Sequence, residues 1–469
     1  MKPILRLLIF CIVTFPGNVI AQWSNPVNIS PHAMNASMNE NMGPCIVASH
    51  DTLHVIWSDH RTKGYAIYYS RSTDSGHTWS IAVPITDTMG RGRMPSLAVC
   101  GKNIHVVWWD SITKNACSYY EHSTDGGNTW GGKMCIDSNT EFWPGVAVAG
   151  STVLVSLDKY FSGGSVVFLV KSVNNGMNFG PEQQISTRVG KGRSEDQGTA
   201  TDGKYIHMCW NDNRNNPADL EIYYRRSKDM GVTWDPEVAI TDSSSYSPMV
   251  FLDSAQVNVA FGFGNILNSW LRQSNDSGSK WNSGLRVTAN ATKGNDVAYP
   301  FMVCDEKNLY MVSMGFPTNP WQVWFNQSND GGATWSSQTI LGSCHGTAFI
   351  ALTCPVLHVV WPNGGAIYYT RNPTGAPSCS NNVTGVKSEE ALQTVLAIYP
   401  DPVANNATIL FGREGIHQVE IYDITGRKIN AFKCSGREHI LSCNALPTGV
   451  YFARVVDEAS TKTIKFIKQ

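Results

Sequence analysis

The sequence predicts an all-β protein: a seven-bladed β-propeller followed by a small immunoglobulin-like β-sandwich. Three observations predict it. An eight-residue box, Ser-x-Asp-x-Gly-x-x-Trp or a close variant, occurs six times at intervals of roughly 50 residues, the length of a four-stranded blade. Similar short apolar runs precede the boxes. A seventh set of runs lacks a box, and the Trp and fourth strand it needs stand at the other end of the chain.

The boxes run from Ser72 to Trp79, Ser123 to Trp130, Ser172 to Phe179, Ser227 to Trp234, Ser274 to Trp281 and Ser328 to Trp335. Before the first lie Pro44 to Ala48, Leu53 to Trp57 and Ala66 to Ser70, alternating or apolar runs divided by turn residues, hence strands. After it Ala82 to Thr86 supplies a fourth strand. The seventh unit repeats three strands at Ala348 to Leu352, Leu357 to Trp361 and Ala366 to Tyr369. Trp23 to Ser30 reads as its fourth strand, which would close the ring and remove an open sheet edge. Six blades is the alternative, if the third or fifth unit departs from the pattern.

Each box has a mechanical reading. A short Asp accepts turn amides, Gly permits a positive φ, and the final aromatic packs between sheets. Asp74, Asp125, Asp229, Asp276 and Asp330 are thus turn fasteners rather than catalytic acids, and Trp79, Trp130, Trp234, Trp281 and Trp335 are packing residues. Asn174 and Phe179 fill these places in the third copy. His54, His105, His207 and His358 recur at one strand position, which favours a structural role.

The remaining segments follow by elimination. Residues 1–21 read as a secretory signal: basic Lys2 and Arg6, apolar Leu7 to Phe15, and a small-residue cleavage site at Val19-Ile20-Ala21. No later stretch is long and apolar enough to span a bilayer. The propeller occupies 22–373, a linker 374–392 and a β-rich tail 393–469. A net charge of −1 with 16% charged residues gives no reason to expect nucleic acid as partner. An exported chain can form disulfides, and two pairs sit symmetrically about turns: Cys117 with Cys135, and Cys434 with Cys443. No His/Cys cluster has zinc-ligand spacing, and neither metal nor cofactor is expected.

The six boxes resemble those of the Asp-box, or bacterial neuraminidase repeat, family of sialidase-like propellers, over about residues 22–373. The tail carries Ile398-Tyr399-Pro400-Asp401-Pro402-Val403, Val419 to Arg427, Leu446 to Tyr451 and the ending Lys465 to Gln469. These resemble the type A sorting domain of the type IX secretion system, with Asp401 where that family usually has Asn. The resemblance implies passage across the outer membrane, contact with that machinery, and release or surface attachment.

Any ligand belongs on the face away from the boxes, where the inner strands start and the second strands end. Candidates at inner-strand starts are Arg93, Trp143, Arg193, Asp196, Tyr246 and Tyr299; Asp59, Asp110 and Asp212 follow second strands. Rings that stack on sugar and charged groups that bond hydroxyls suit a glycan or other surface polymer. The sialidase resemblance would make Arg93 and Arg193 carboxylate binders, Asp110 an acid and Tyr299 a nucleophile. A third arginine and a Glu partner for the tyrosine are missing, so a binding propeller is preferred over a divergent exo-sialidase or other glycoside hydrolase. A structural or adhesion module without a small ligand is the third alternative.

Overall fold

The computed structural model describes residues 23–376 and 397–469, apart from 39–43, 62, 112–115, 139, 141–142, 162–163, 188–193, 217–218, 243, 254–255, 265–267, 289–296, 316–319, 400–402, 404, 412–415, 437 and 457–460. The expected signal peptide and most of the expected linker lie outside the described residues. The chain divides into two compact units between Lys387 and Ser388, within the expected linker.

Among the described residues the first unit contains no helix and seven four-stranded antiparallel sheets, each resembling a propeller blade. Six run in simple chain order, over 46–84, 93–137, 145–184, 194–239, 245–286 and 297–344. The seventh takes Phe349–Thr353, Val356–Asn363 and Ala366–Asn372, and borrows Val27–Asn28 as its outer strand. Val27 stands opposite Tyr369 and Asn28 opposite Tyr368. The first strand of each sheet packs against that of the next, and the seventh returns to the first, so the ring closes.

Second strands are buried along nearly their whole length, as a strand covered on both faces requires. Trp57, Trp108, Trp210 and Trp361 recur there and are among the largest fully buried side chains.

The boxes pin neighbouring sheets together. Ser72 Oγ donates to Asp74 Oδ1 at 2.7 Å and accepts the Gly76 amide at 2.8 Å. Asp74 also accepts the Thr78 amide at 2.9 Å and hydroxyl at 2.6 Å. These bonds, the Thr78 hydroxyl foremost, hold the Asp74 carboxyl well below the usual range. Asp125, Asp229 and Asp330 repeat the arrangement with Thr129, Thr233 and Thr334. Asn174 keeps the turn bonds with a neutral amide, accepting from Ser172 Oγ at 2.8 Å and from the Asn178 amide at 3.2 Å.

The box aromatic then stands edge-on to a ring of the preceding sheet. Trp79 meets Tyr369 at 4.9 Å, Trp130 meets Tyr69 at 5.0 Å, Phe179 meets Tyr120 at 4.9 Å and Trp281 meets Tyr224 at 4.7 Å. Each of these tyrosines shares a hydrogen bond with the recurring histidine: His54 with Tyr69 at 2.7 Å, His105 with Tyr120 at 2.7 Å, His207 with Tyr224 at 2.6 Å and His358 with Tyr369 at 2.8 Å. Trp23 adopts the same pose against Phe325 of the sixth sheet, 4.9 Å away at 71°. It therefore occupies the aromatic place that the seventh sheet's missing box would supply.

Cys117 and Cys135 form a disulfide with Cα atoms 6.0 Å apart, and Cys354 is also disulfide-bonded. Cys434 and Cys443 are free, which corrects the symmetric pairing expected of them. Lys428–Ser435 and Glu438–Ser442 do not pair as a hairpin. The first is the edge of the sheet containing Ile416–Asp423, whereas the second pairs with Asn406–Leu410 in another sheet.

The second unit sets that four-stranded sheet and a three-stranded one over a common core. Ile398, Ala407, Ile409 and Leu441 come from the smaller sheet, and Val419, Ile421, Ala453, Val455 and Phe466 from the larger. Its Asp423-Ile424-Thr425-Gly426-Arg427 motif is a turn: the Asp423 carboxylate takes the amides of Thr425 and Arg427, and Gly426 has φ +82°.

Candidate functional site

The boxes lie beside the turn joining strands one and two. The Ser75 amide donates to Asp51 O, Gly126 to Lys102 O, Asn175 to Ser151 O and Gly331 to Lys307 O. First strands start at the other end, opposite the ends of second strands: Arg93 faces Trp109, Ser194 faces Asp212 and Tyr246 faces Gly262. Neighbouring first strands pack side by side, so these starts share one end of the ring.

That end carries a repeated distortion. Residues just before a proline hold positive φ: Met94 at +53°, Trp143 at +70°, Ser247 at +52° and Tyr299 at +55°. In three of these sheets the pairing slips at the same place, between Arg93 and Ser96, Tyr246 and Met249, and Ala298 and Phe301. A proline disfavours helical φ/ψ in the residue before it, and bulky residues rarely adopt positive φ. A bulge accommodates the extra residue and re-aims its side chain. Backbone strain of this kind gathers at functional sites, and here it falls on Trp143 and Tyr299, two candidate residues. Both are half-buried, as is Tyr246.

Arg93 is exposed, and its guanidinium lies 4.2 Å over the ring of Tyr65. Tyr65 is held from several sides. Its hydroxyl accepts from Asn35 Nδ2 at 3.3 Å, its amide donates to Gly90 O at 2.7 Å, and the His60 ring lies 4.6 Å away. Residues from the first two sheets thus build an accessible cationic and aromatic surface. Tyr65 was not among the sequence candidates; its proximity to Arg93 depends on two loops about 30 residues apart meeting in space. Its only local signal was an aromatic beside the Ala66 to Ser70 run.

The carboxylates behave differently. Asp59 is fully buried; its Oδ1 accepts the Met34 and Asn35 amides at 3.2 Å each and its Oδ2 accepts Arg61 Nε at 2.6 Å. Asp212 is equally buried and takes the Arg214 amide at 2.9 Å, Trp210 Nε1 at 3.2 Å and Arg214 Nη2 at 2.6 Å. Arg61 and Arg214 lie over Tyr68 and Tyr223, at 3.9 and 4.1 Å. These two Asp-x-Arg pairs organise loops instead of presenting open carboxylates. Asp110, also buried, accepts the Arg91 amide at 3.1 Å and so supports the strand leading to Arg93.

Arg193 lies outside the described residues. Asp196 falls within the bulge between Glu195 and Gly198 of the fourth sheet. Asp110 belongs to the second sheet and Tyr299 to the sixth.

Comparison with solved structures finds distant likenesses. An ulvan lyase of a polysaccharide lyase family, solved bound to -[GlcA(1-4)Rha3S]-, is 11% identical; the match covers 73% of this chain and 95% of that one, with a TM-score of 0.51. A Hadza microbial sialidase is 13% identical over 74% of this chain and 68% of that chain, with a TM-score of 0.45. The Trypanosoma rangeli sialidase is 8% identical over 94% and 89%, with a TM-score of 0.43. No curated protein matches by sequence. Residues 397–469 match the secretion system C-terminal sorting domain, which directs the protein to secretion and the cell surface. Among the described residues no helix is long and apolar enough to cross a membrane. The BNR repeat-like domain matches residues 17–261, and the chain belongs to that family.

Proposed function

We propose that this is an exported glycan-binding propeller, holding its ligand at the end of the ring where the inner strands start. The observation that carries the reading is the exposed Arg93 guanidinium stacked on Tyr65, beside His60 and at the same end as the distorted Trp143 and Tyr299. Aromatic faces stack on the C–H faces of a sugar ring, while a guanidinium bonds paired hydroxyls or a carboxylate. Arg91 and Arg93 are both exposed and favour a glycan bearing carboxylate or sulfate. The sorting domain delivers this face outside the cell through the type IX machinery.

Binding is favoured over hydrolysis because Asp59, Asp110 and Asp212 are buried and already bonded, so none of these three offers an open acid. A glycan array probed with the mature protein tests the reading: acidic glycans should be retained, and Arg93→Ala should lose them. Turnover of a fluorogenic sialoside or of another glycoside, abolished by Arg93→Ala, would replace it with the hydrolase. Absence of retention and turnover alike would leave a structural or adhesion module.

A further inference from the structure

The box end carries a repeated contact between sheets, and the boundary between the fifth and sixth departs from it. The residue preceding the box serine, or preceding its counterpart Asn372 in the seventh sheet, sends a cation onto the next sheet's box at four boundaries. Arg71 bonds Gly126 O and reaches Asn128 Oδ1 at 2.7 Å. Lys171 bonds Met230 O at 2.6 Å, Arg226 bonds Ser277 O, and Arg371 bonds Ser75 O at 3.1 Å. Between the fifth and sixth sheets the corresponding residue is Gln273, shorter and neutral, which donates to Gly331 O at 3.0 Å and to Asn258 Oδ1 at 2.9 Å. The histidine position there is Asn258, facing Gln273 in register, and the tyrosine position is Leu271.

A polar pocket of about 500 Å³ opens at this boundary, within the range of small-molecule sites. Gln256, Gln273, Asn275 and Asn329 line it with four amides, and Glu306 and Lys307 add one charge of each sign. Gln273 is more than nine-tenths buried, so its amide is fixed. Behind it Asn258 is fully buried, and its Nδ2 has no partner among the described residues. Such groups are ordinarily satisfied by ordered water or a ligand. Asp330, also at the pocket, has its oxygens engaged by Ser328 and Thr334.

We propose that this pocket is a second saccharide site, taking a neutral sugar of one or two rings. Amides both donate and accept, matching adjacent hydroxyls; Glu306 and Lys307 oppose each other, and Asp330, held ionised by Thr334 and Ser328, makes the lining unsuited to an anion. The site stands on the opposite end of the ring from Arg93 and is independent of it. Two sites on opposite ends would let one exported molecule bridge two strands of a matrix, raising avidity without new contacts.

Isothermal titration of the mature protein with galactose, mannose, N-acetylglucosamine and cellobiose tests it. At least one should bind, and Gln273→Arg should weaken it about tenfold or more by filling the cleft with the side chain that other boundaries use. Asn275→Ala, an exposed change, should weaken it likewise, while Arg93→Ala should leave it unchanged. Failure of all four sugars to bind, or binding that survives both pocket substitutions, would overturn the proposal. Loss in Arg93→Ala alone would also overturn it, assigning the sugar to the other end.

Discussion

Gly76 of the first sheet rests on the phenol of Tyr369 of the seventh: a Cβ at Gly76 would stand 1.7 Å from the Tyr369 hydroxyl oxygen. The same residue has φ +81°, so backbone and packing both demand glycine. Gly331 of the sixth box has φ +73° but nothing within 4 Å of its would-be Cβ. Gly331→Ala should cost about 1 kcal/mol, from conformation alone. Gly76→Ala should cost about 3 kcal/mol, since Tyr369 must also leave His358. Urea unfolding of the two variants separates the contributions.

Ring closure makes its own prediction. Trp23 is far from Phe325 in sequence yet packs on it as box tryptophans pack on their tyrosines. Trp23→Ala should destabilise the propeller by about 2 kcal/mol, while leaving the sorting domain's transition unchanged. Calorimetry resolving the two units would check this. A cost near zero would mean that the N-terminal strand does not hold the ring.

The buried histidines predict acid sensitivity. Burial, aided by Arg71 at His54, pushes His54 down to about 4; burial pushes His207 to about 4 and His105 and His358 to about 3. The fold holds them neutral, so their contribution is complete above the unfolded value of about 6.5 and is lost as pH falls toward 4. The box aspartates are silent in this window, because their depressed values matter only below the unfolded carboxyl range, about 4. Tm should therefore fall between pH 6.5 and 4.5. His54→Asn, which copies Asn258 of the fifth sheet, should lower Tm at pH 7.5 but flatten that slope.

Glu121 predicts the opposite slope. It is buried on the third strand of the second sheet, its Oε2 has no partner among the described residues, and burial pushes its carboxyl up to about 7. Folding favours the protonated form, so stability declines as pH rises from about 4.5 to 7. Glu121→Gln should raise stability at pH 8 by about 2 kcal/mol and change little at pH 4. A variant less stable at pH 8 would show that the charged form is supported in the fold.

Blade limits were legible because the box, the His and Trp of the second strand and the alternating third strand repeat at fixed spacing. Even the borrowed outer strand could be read, since Trp23 precedes it as Trp79 precedes Ala82 to Thr86. Contacts between sheets were not. Nothing local to Arg71 announces Gly126, and nothing local to Arg93 announces Tyr65; both pairings arise only when the ring closes. The positive φ at Trp143 and Tyr299 was half-signalled by the following proline, but Pro normally directs its predecessor to extended backbone. Symmetry about a turn suggested a Cys434–Cys443 bridge, yet the chain changes sheets there. Asp59 and Asp212 looked like ligand groups because residue type alone cannot reveal that Arg61 and Arg214 already occupy them.

Glycan recognition is proposed at the strand-start end and not at the boxes. Its most direct measurement is the affinity of the mature protein for an array-retained acidic glycan, compared among wild type, Arg93→Ala, Trp143→Ala and the box-end control Thr78→Ala. About a tenfold or greater loss is expected for the first two substitutions and an unchanged Kd for the control. Wild-type affinity in both Arg93→Ala and Trp143→Ala, or an equal loss in Thr78→Ala, would contradict it.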